Sequence, residues 1–443
     1  MFLIKIIVFL LGFMVTSVYA EGELIWSRAI GGSGTDISYG VTVGAQGQIY
    51  TTGFFSGTVD FDPADTTATL SSSGFFDIFI AQFSPQGELV WAQSIGNNQP
   101  SSGRDIALDS QGNIYVTGSF SGQVDFDPGL GVQTLSSSGI LDSFVLKLDA
   151  QGQFLWAQAL GGEGEEVNYG IAIDNNDNVY GVGFSSSGGP GVLVAQWNSA
   201  GELIWQRHFP SDQEVWGFDI ALDATSLIYI TGAFRGQLNF APSSNSLALT
   251  SVGAHDVFVA QLTPQGQANW VKQIGGQSDD SATSIAVDNQ GNSYLTGGFE
   301  SRQFADPTQT TLTLNNAGRT DVFIAKLNNL GQLDWLKQLG ASEDDEGHHI
   351  VVGPQGQLYL TGFFSRAIEL ALPSGLTSVQ SIGLWDIFVG KLTPQGQWLW
   401  FKHMGGVEDS YGEGEHLFVD SQNNIYLTGS FTGNLDFDPG AAT

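Results

Sequence analysis

Residues 105–118 read Asp105-Ile106-Ala107-Leu108-Asp109-Ser110-Gln111-Gly112-Asn113-Ile114-Tyr115-Val116-Thr117-Gly118, two short apolar runs on either side of an Asp-Ser-Gln-Gly-Asn turn. A glycine at that place suits the positive φ of a tight hairpin, so the stretch reads as two antiparallel strands. Its tyrosine is one of a series. Tyr50, Tyr115, Tyr180, Tyr229, Tyr294 and Tyr359 each follow a tryptophan by 24 residues, and Tyr426 follows one by 26. The tryptophans themselves, Trp26, Trp91, Trp156, Trp205, Trp270, Trp335 and Trp400, stand 65, 65, 49, 65, 65 and 65 residues apart. Seven copies of one unit are therefore visible, and a period of this length marks a repeat architecture.

Each copy holds four short runs and no helix-length amphipathic stretch. In the second copy they cover residues 105–108 (strand a), 113–118 (b), 142–148 (c) and 153–158 (d). A four-stranded antiparallel sheet cannot bury both of its faces alone, and identical sheets stacked radially make a propeller. The expected fold is all-β: a seven-bladed β-propeller of four-stranded antiparallel blades. A d-type strand over residues 23–30 is expected to close the ring, and the last blade to be incomplete, because Thr443 falls after strand b of the seventh copy. That reads either as a fragment of a longer chain or as a three-stranded last blade. The Thr-Gly pair that ends strand b, as in Thr117-Gly118 and Thr231-Gly232, reads as a place where neighbouring sheets approach closely. Arg28, Arg207, Lys272, Lys337 and Lys402, each two residues after a repeat tryptophan, read as charges that guard exposed edge strands.

Asp321 to Leu327 (DVFIAKL) and Ile425 to Gly429 (IYLTG) resemble the bacterial SBBP β-propeller repeats, whose consensus runs D-x-F-V-A-K-L, a turn, L-V-W, Gly-Gly-acidic, then I-A-V-D-x-x-G-N-x-Y-V-T-G. The likeness recurs in register along the chain after its first twenty residues. It implies an exported propeller, and since the family mostly has no assigned activity, no catalytic residue is carried over from it.

The 443 residues carry 45 acidic against 14 basic side chains, a formal charge of −31, and no cysteine. Disulfides, thiolate metal sites and cysteine nucleophiles are excluded. So acidic a surface also opposes nucleic acid and anionic lipid. Met1 to Ala20 (MFLIKIIVFLLGFMVTSVYA) has a lysine, an apolar run too short to span a bilayer and a small-residue end, the pattern of a secretory signal peptide. The expectation is a signal peptide over 1–20 and a propeller over 21–443 with no membrane insertion after cleavage, secreted, at the cell surface or in the periplasm.

Chemistry is expected where the d–a and b–c loops gather on one face of the ring. The d–a loops are acidic, with Glu163, Glu165, Glu166, Asp212, Glu214, Asp279, Asp280, Glu343 to Glu346, Glu408, Asp409, Glu413 and Glu415. The b–c inserts add Asp60 and Asp62, Asp125 and Asp127, and Asp436 and Asp438, each pair in an Asp-Phe-Asp-Pro segment whose carboxylates share one side. Oxygen ligands clustered in this way suit calcium. The competing reading has Phe61, Phe126 and Phe437 anchor the insert while the carboxylates cap turns. Asp109, Asp174, Asp223, Asp288 and Asp420 read as hairpin-turn residues without chemistry. Ten residues before each repeat tyrosine stand Gly40, Asp105, Gly170, Asp219, Ser284, His349 and His416. Asp105, Asp219, His349 and His416 are thus placed around the channel mouth, as a metal or acid–base set or as solvated polar residues.

The reading that follows is a non-catalytic binding or scaffold module holding a protein or glycan on the acidic loop face, with calcium as the one candidate cofactor. The third copy is 16 residues short between strands b and c, around Ser185 to Gly191, and the notch this leaves in the rim is the expected ligand site. A structural segment of a larger surface protein is the first alternative. A quinone-type propeller enzyme, suggested by the hairpin Leu148 to Trp156, is the second.

Overall fold

The computed structural model describes the chain except residues 1–3, 11–12, 21–22, 63–67, 242, 244–245, 310, 408–409 and 439–443, with side chains from Leu24 onward. Every element among the described residues is a strand. Six antiparallel sheets follow one another over residues 37–95, 101–160, 166–210, 215–274, 280–339 and 346–406, each with four strands in the order a-b-c-d, the sixth extended by Leu435–Asp436. In blade 2 the strands are Ser101–Leu108, Ile114–Phe120, Asp142–Leu148 and Phe154–Leu160, within a few residues of the sequence reading. The five long b–c connections each carry a small two-stranded hairpin, and blade 3 has none.

The blade count corrects the expectation of seven. The structure has six complete blades; among the described residues the seventh copy contributes a two-stranded sheet, Tyr411–Val419 with Ile425–Thr432, and a short strand Leu435–Asp436 that pairs with the edge of blade 6. That hairpin packs between strand a of blade 6 and strand a of blade 1. The expected closing strand over 23–30 reduces to Glu23–Leu24, which pairs with Phe13–Ala20. Residues 25–30 form no ladder. They still follow the path of a strand d: Leu24 and Ala29 pack on the core of the seventh hairpin, and Arg28 Nε donates to Gly87 O at 3.0 Å. Within 1–20, Ile4–Leu10 and Phe13–Ala20 pair antiparallel, and the first lies against strand Ile425–Thr432.

The repeat markers explain how blades join. The seven repeat tyrosines are buried, and five of them meet the tryptophan of their own strand d at ring separations of 5.9–6.5 Å, as in Tyr115–Trp156 at 5.9 Å and Tyr50–Trp91 at 6.5 Å. The same tryptophan then covers the c–d turn of the next blade, where a side-chain carbon on Gly87, Gly152, Gly201, Gly266, Gly331 or Gly396 would strike Trp26, Trp91, Trp156, Trp205, Trp270 or Trp335. Trp205 Nε1 also donates to Pro264 O at 3.0 Å, and Arg207 Nη2 to Gln265 O at 2.8 Å. Lys272 reaches the buried Asp306 at 3.7 Å. Arg28, Arg207 and Lys272 therefore tie a strand d to a neighbouring turn or insert, beyond the edge guarding expected of them.

The Thr-Gly pair has a division of labour the sequence did not reveal. Gly53, Gly118, Gly183, Gly232, Gly297, Gly362 and Gly429 each face a carbonyl of strand a in their own blade, at a place a side chain would occupy. Opposite each glycine the a–b register shifts by one residue, so every strand a carries a bulge there. The threonine faces the next blade: Thr52, Thr296 and Thr361 stand against Gly103, Gly347 and Gly414 of the following strand a.

Candidate ligand site at the channel mouth

The bulge decides what lines the channel. The extra residue of each strand a has no ladder partner, and its side chain is free to point along the axis. In chain order these residues are Tyr39, Arg104, Tyr169, Phe218, Thr283, His348 and Glu415, and all seven line one cavity of about 270 Å³. They stand eleven residues before the repeat tyrosines, one position from the set singled out by sequence. The same alignment shifted by one would have found them.

Asp105, Asp219, His349 and His416 line the same cavity. Their hydrogen bonds run between blades. Asp105 Oδ2 accepts Ile171 N–H at 2.9 Å, Asp219 Oδ2 accepts Ile285 N–H at 2.8 Å, and His349 Nδ1 accepts Leu417 N–H at 3.4 Å. Ser284 Oγ takes Ile350 N–H in the same way at 3.2 Å. This layer latches strand a to the next at four junctions. Gly40 has no side chain, so His416 reaches past it to Asp105 at 3.7 Å and lies against His349 with ring centroids 3.6 Å apart and the rings tilted by 34°. Burial pushes the Asp105 carboxyl up to about 8 and Asp219 up to about 6, and it pushes His416 down to about 3. Burial, with His416 beside it, also lowers His349 well below the usual imidazole range. Near neutral pH the channel floor around Asp105, His349 and His416 is uncharged.

One layer above, charge is concentrated. His348 Nδ1 lies 3.4 Å from Glu415 and its Nε2 lies 4.0 Å from Glu346. Burial works against the imidazolium, yet Glu415, Glu346 and Glu413 hold its pKa at about 10. Burial lifts Glu413 to about 7. Among the described residues His348, Glu413 and Glu415 form the one group whose donor atoms all lie within 4.8 Å, close enough to share an ion. Arg104 lies over the Tyr39 ring at 4.5 Å and the Tyr169 ring at 5.6 Å, and its buried Nε has no hydrogen-bond partner.

Two further cavities flank Trp216. One of about 330 Å³ is lined by Trp216, Phe218, His255, Asp279, Glu300 and Glu346. Trp216 lies nearly parallel to Phe218 with centroids 6.3 Å apart, and His255 bridges Asp279 at 2.6 Å and Glu214 at 3.3 Å. The other, about 390 Å³, lies between Phe184 and Pro190 of the shortened third copy and Gln213, Trp216 and Arg235 of blade 4. The notch expected from the missing insert is therefore a real recess, with Trp216 as its wall.

The remaining acidic positions divide by role. Glu166, Asp280 and Asp345 are buried and accept loop N–H groups, for example Gly162 N–H on Glu166 at 2.7 Å and Ser365 N–H on Asp345 at 2.8 Å. Glu408 and Asp409 lie outside the described residues. Asp60, Asp125 and Asp436 accept the N–H of Asp62, Asp127 and Asp438 at 3.0, 3.1 and 2.9 Å, while Phe61 and Phe126 are buried. Asp125 also accepts Gln133 N–H at 2.8 Å, and Asp127 accepts Gly129 N–H at 2.8 Å. The three pairs sit on separate inserts, and no third metal-ligating side chain joins any of them among the described residues. Asp109, Asp174, Asp223, Asp288 and Asp420 hold their hairpin turns, as in Gln111 and Asn113 N–H on Asp109 Oδ1 at 3.0 and 2.8 Å.

Two segments, 90–119 and 269–297, match the SBBP family, described as a β-propeller repeat. An uncharacterized WD repeat-containing protein of Acanthamoeba polyphaga mimivirus is 21% identical, covering 79% of this chain and 32% of its own length. Regulatory protein FlaEY of Caulobacter vibrioides is 25% identical, covering 94% of this chain and 39% of its own. The chain thus spans about a third to two fifths of these relatives. Among solved structures, the periplasmic gluconolactonase PpgL of Pseudomonas aeruginosa is similar at 10% identity and a TM-score of 0.47, with 90% of this chain and 95% of that one covered.

Proposed function

We propose that this chain is an exported binding module that holds a protein partner on the face where the d–a and b–c loops gather, with Trp216 at the centre of contact. The observation that carries the reading is the position of Trp216, a half-buried tryptophan forming a wall of two adjacent recesses, one of them opened by the short b–c connection of the third copy. Aromatic side chains so placed concentrate binding energy, and the acidic rim of Glu214, Asp279 and Glu300 selects a basic partner. In this reading residues 1–20 direct export and are removed, and the mature chain works in the periplasm, at the cell surface or outside the cell.

The test is cross-linking of the mature protein to partners from the exported fraction of its own cell, alongside a glycan array. Trp216→Ala should reduce capture of the partner at least tenfold without changing the melting temperature. Undiminished capture by Trp216→Ala would move the site elsewhere, and glycan binding without protein capture would replace the partner class. Calcium on the Asp-Phe-Asp inserts remains a proposal with its own measurement. If the ion is held there, millimolar calcium should raise the melting temperature relative to chelator, because a ligand of the folded state stabilises it, and no shift would remove the ion from these loops.

Two other readings rest on particular observations. The chain spans less than half of the relatives it matches, which favours a structural segment within a longer surface protein. The quinone-type reading leaned on Leu148 to Trp156, whose features have a packing account: Asp149 Oδ1 accepts Gln151 and Gln153 N–H, both at 2.9 Å, and Gly152 lies under Trp91. Dehydrogenase turnover with bound quinone would nevertheless decide for it.

A further inference from the structure

Arg104 is out of keeping with its surroundings. In a chain with 45 acidic side chains, several basic groups meet a carboxylate: Lys147 with Asp109 at 3.1 Å, Lys326 with Asp334 at 3.0 Å, Arg366 with Glu343 at 3.1 Å. Arg104 is instead held between the rings of Tyr39 and Tyr169, its Nε buried and without a partner, at the wall of an open cavity. A guanidinium carries five N–H donors in a planar fork matched to a carboxylate, and leaving one buried and unused is costly. The aromatic faces support the charge and fix its plane, and although Tyr39 also hydrogen-bonds the guanidinium, Nε is left without a partner.

Beyond Tyr39, in the same cavity, the charge reverses. Glu415, the bulge residue of the seventh hairpin, and His348 line it; Glu413, two residues before Glu415 on the same strand, and Glu346 stand next to them outside the lining, and His348 is the one cation among these three carboxylates. Tyr39 feels Arg104 on one side and Glu415 and Glu413 on the other. An anion entering alone would meet the carboxylates, and a cation alone would meet Arg104 and His348. A small molecule carrying both charges satisfies each wall.

We propose that the channel mouth binds a free amino acid or a similarly small zwitterion, with its carboxylate on Arg104 and its ammonium against Glu415. The volume of about 270 Å³ admits one such molecule, and Phe218 and Thr283 complete the wall that faces its side chain. This site is distinct from the Trp216 surface proposed above and stands whether or not that surface binds a protein.

The experiment is calorimetric titration of the full mature chain with each of the twenty amino acids, with propionate and propylamine as single-charge probes and zinc chloride as a metal probe. At least one amino acid should bind ten times more tightly than either single-charge probe. Arg104→Met and Glu415→Gln should each weaken it at least tenfold, and Arg104→Lys should restore part of the loss while failing to restore fork geometry. Far-ultraviolet circular dichroism and melting establish that each variant is folded, which the ladder-free position of both residues favours. Propionate binding as tightly as the best amino acid would make this a plain anion site, propylamine doing so would make it a cation site, and zinc alone would make it a metal site at His348, Glu413 and Glu415. Each of those results, or no binding by any of the twenty, overturns the proposal.

Discussion

The protein should melt about 5 °C higher near pH 5 than near pH 8. Burial raises Asp105 to about 8, Asp280 and Asp345 to about 7, and Asp219 and Asp321 to about 6. A carboxyl raised above its unfolded value stabilises the fold fully below that unfolded value, and the contribution is lost as pH rises through the folded one. The window of loss therefore runs from about pH 4 to about pH 8. His348, raised to about 10, acts in the same direction from its unfolded value of 6.5 upward. His349 and His416 oppose below 6.5, since their folded forms stay neutral while the unfolded chain protonates. Asp109, Asp174, Asp279 and Asp288 are lowered, largely through hydrogen bonds to the carboxylate, and are ionised in both states between about pH 5 and about pH 8, so they are silent in that comparison. Each pK unit on a buried group is worth about 1.4 kcal/mol, and a net fall on the order of 5 kcal/mol is expected after the opposing imidazoles are included. Self-repulsion of a chain with charge −31 adds in the same sense. Calorimetric melts across this range are the measurement, and a temperature that stays level or climbs from about pH 6.5 to about pH 8 would refute the assignment of buried, protonated carboxyls.

Gly118→Ala should destabilise the protein by about 3 kcal/mol or more. The added methyl would fall on the Ser102 carbonyl of strand a, with the Phe144 ring close on the other side, and neither the backbone nor a packed ring can yield cheaply. Relief requires flattening the bulge between Gly103 and Asp105, which would draw Arg104 back into the ladder. The variant should therefore show two linked losses: a lower denaturation midpoint, and a changed environment for Tyr39 and Tyr169, whose rings face Arg104. By contrast Gly112→Ala, where a side chain meets open space, should suffer only from its φ of +79°, about 1–2 kcal/mol. Equal effects at the two positions would show that close approach to strand a is not what Gly118 provides.

The periodic residues made the architecture legible because each performs the same contact in every blade. The tyrosine fills the core and the tryptophan roofs the next turn, so both recur at fixed spacing; the turn aspartates and strand c of blade 2 were located for the same reason. The channel ring was missed by one position. Tyr39, Arg104, Tyr169, Phe218, Thr283, His348 and Glu415 share no chemistry, and a bulge breaks the two-residue alternation from which facing is inferred. The Thr-Gly pair was read as a contact between sheets, yet only its threonine faces the neighbour, and its glycine yields to a carbonyl within the blade. The blade count failed for another reason: seven hairpins are visible in the repeats, but a complete sheet needs strands c and d as well, and the seventh copy as given supplies neither.

Because the seven bulge residues sit outside the ladders of their own strands, that layer of the channel wall is set apart from the sheets that carry it. Seven sockets of one backbone shape hold a tyrosine, an arginine, a second tyrosine, a phenylalanine, a threonine, a histidine and a glutamate. Exchanging any of them rewrites the local field without disturbing a hydrophobic core, so the selectivity of the opening can be redesigned combinatorially on an unchanged frame.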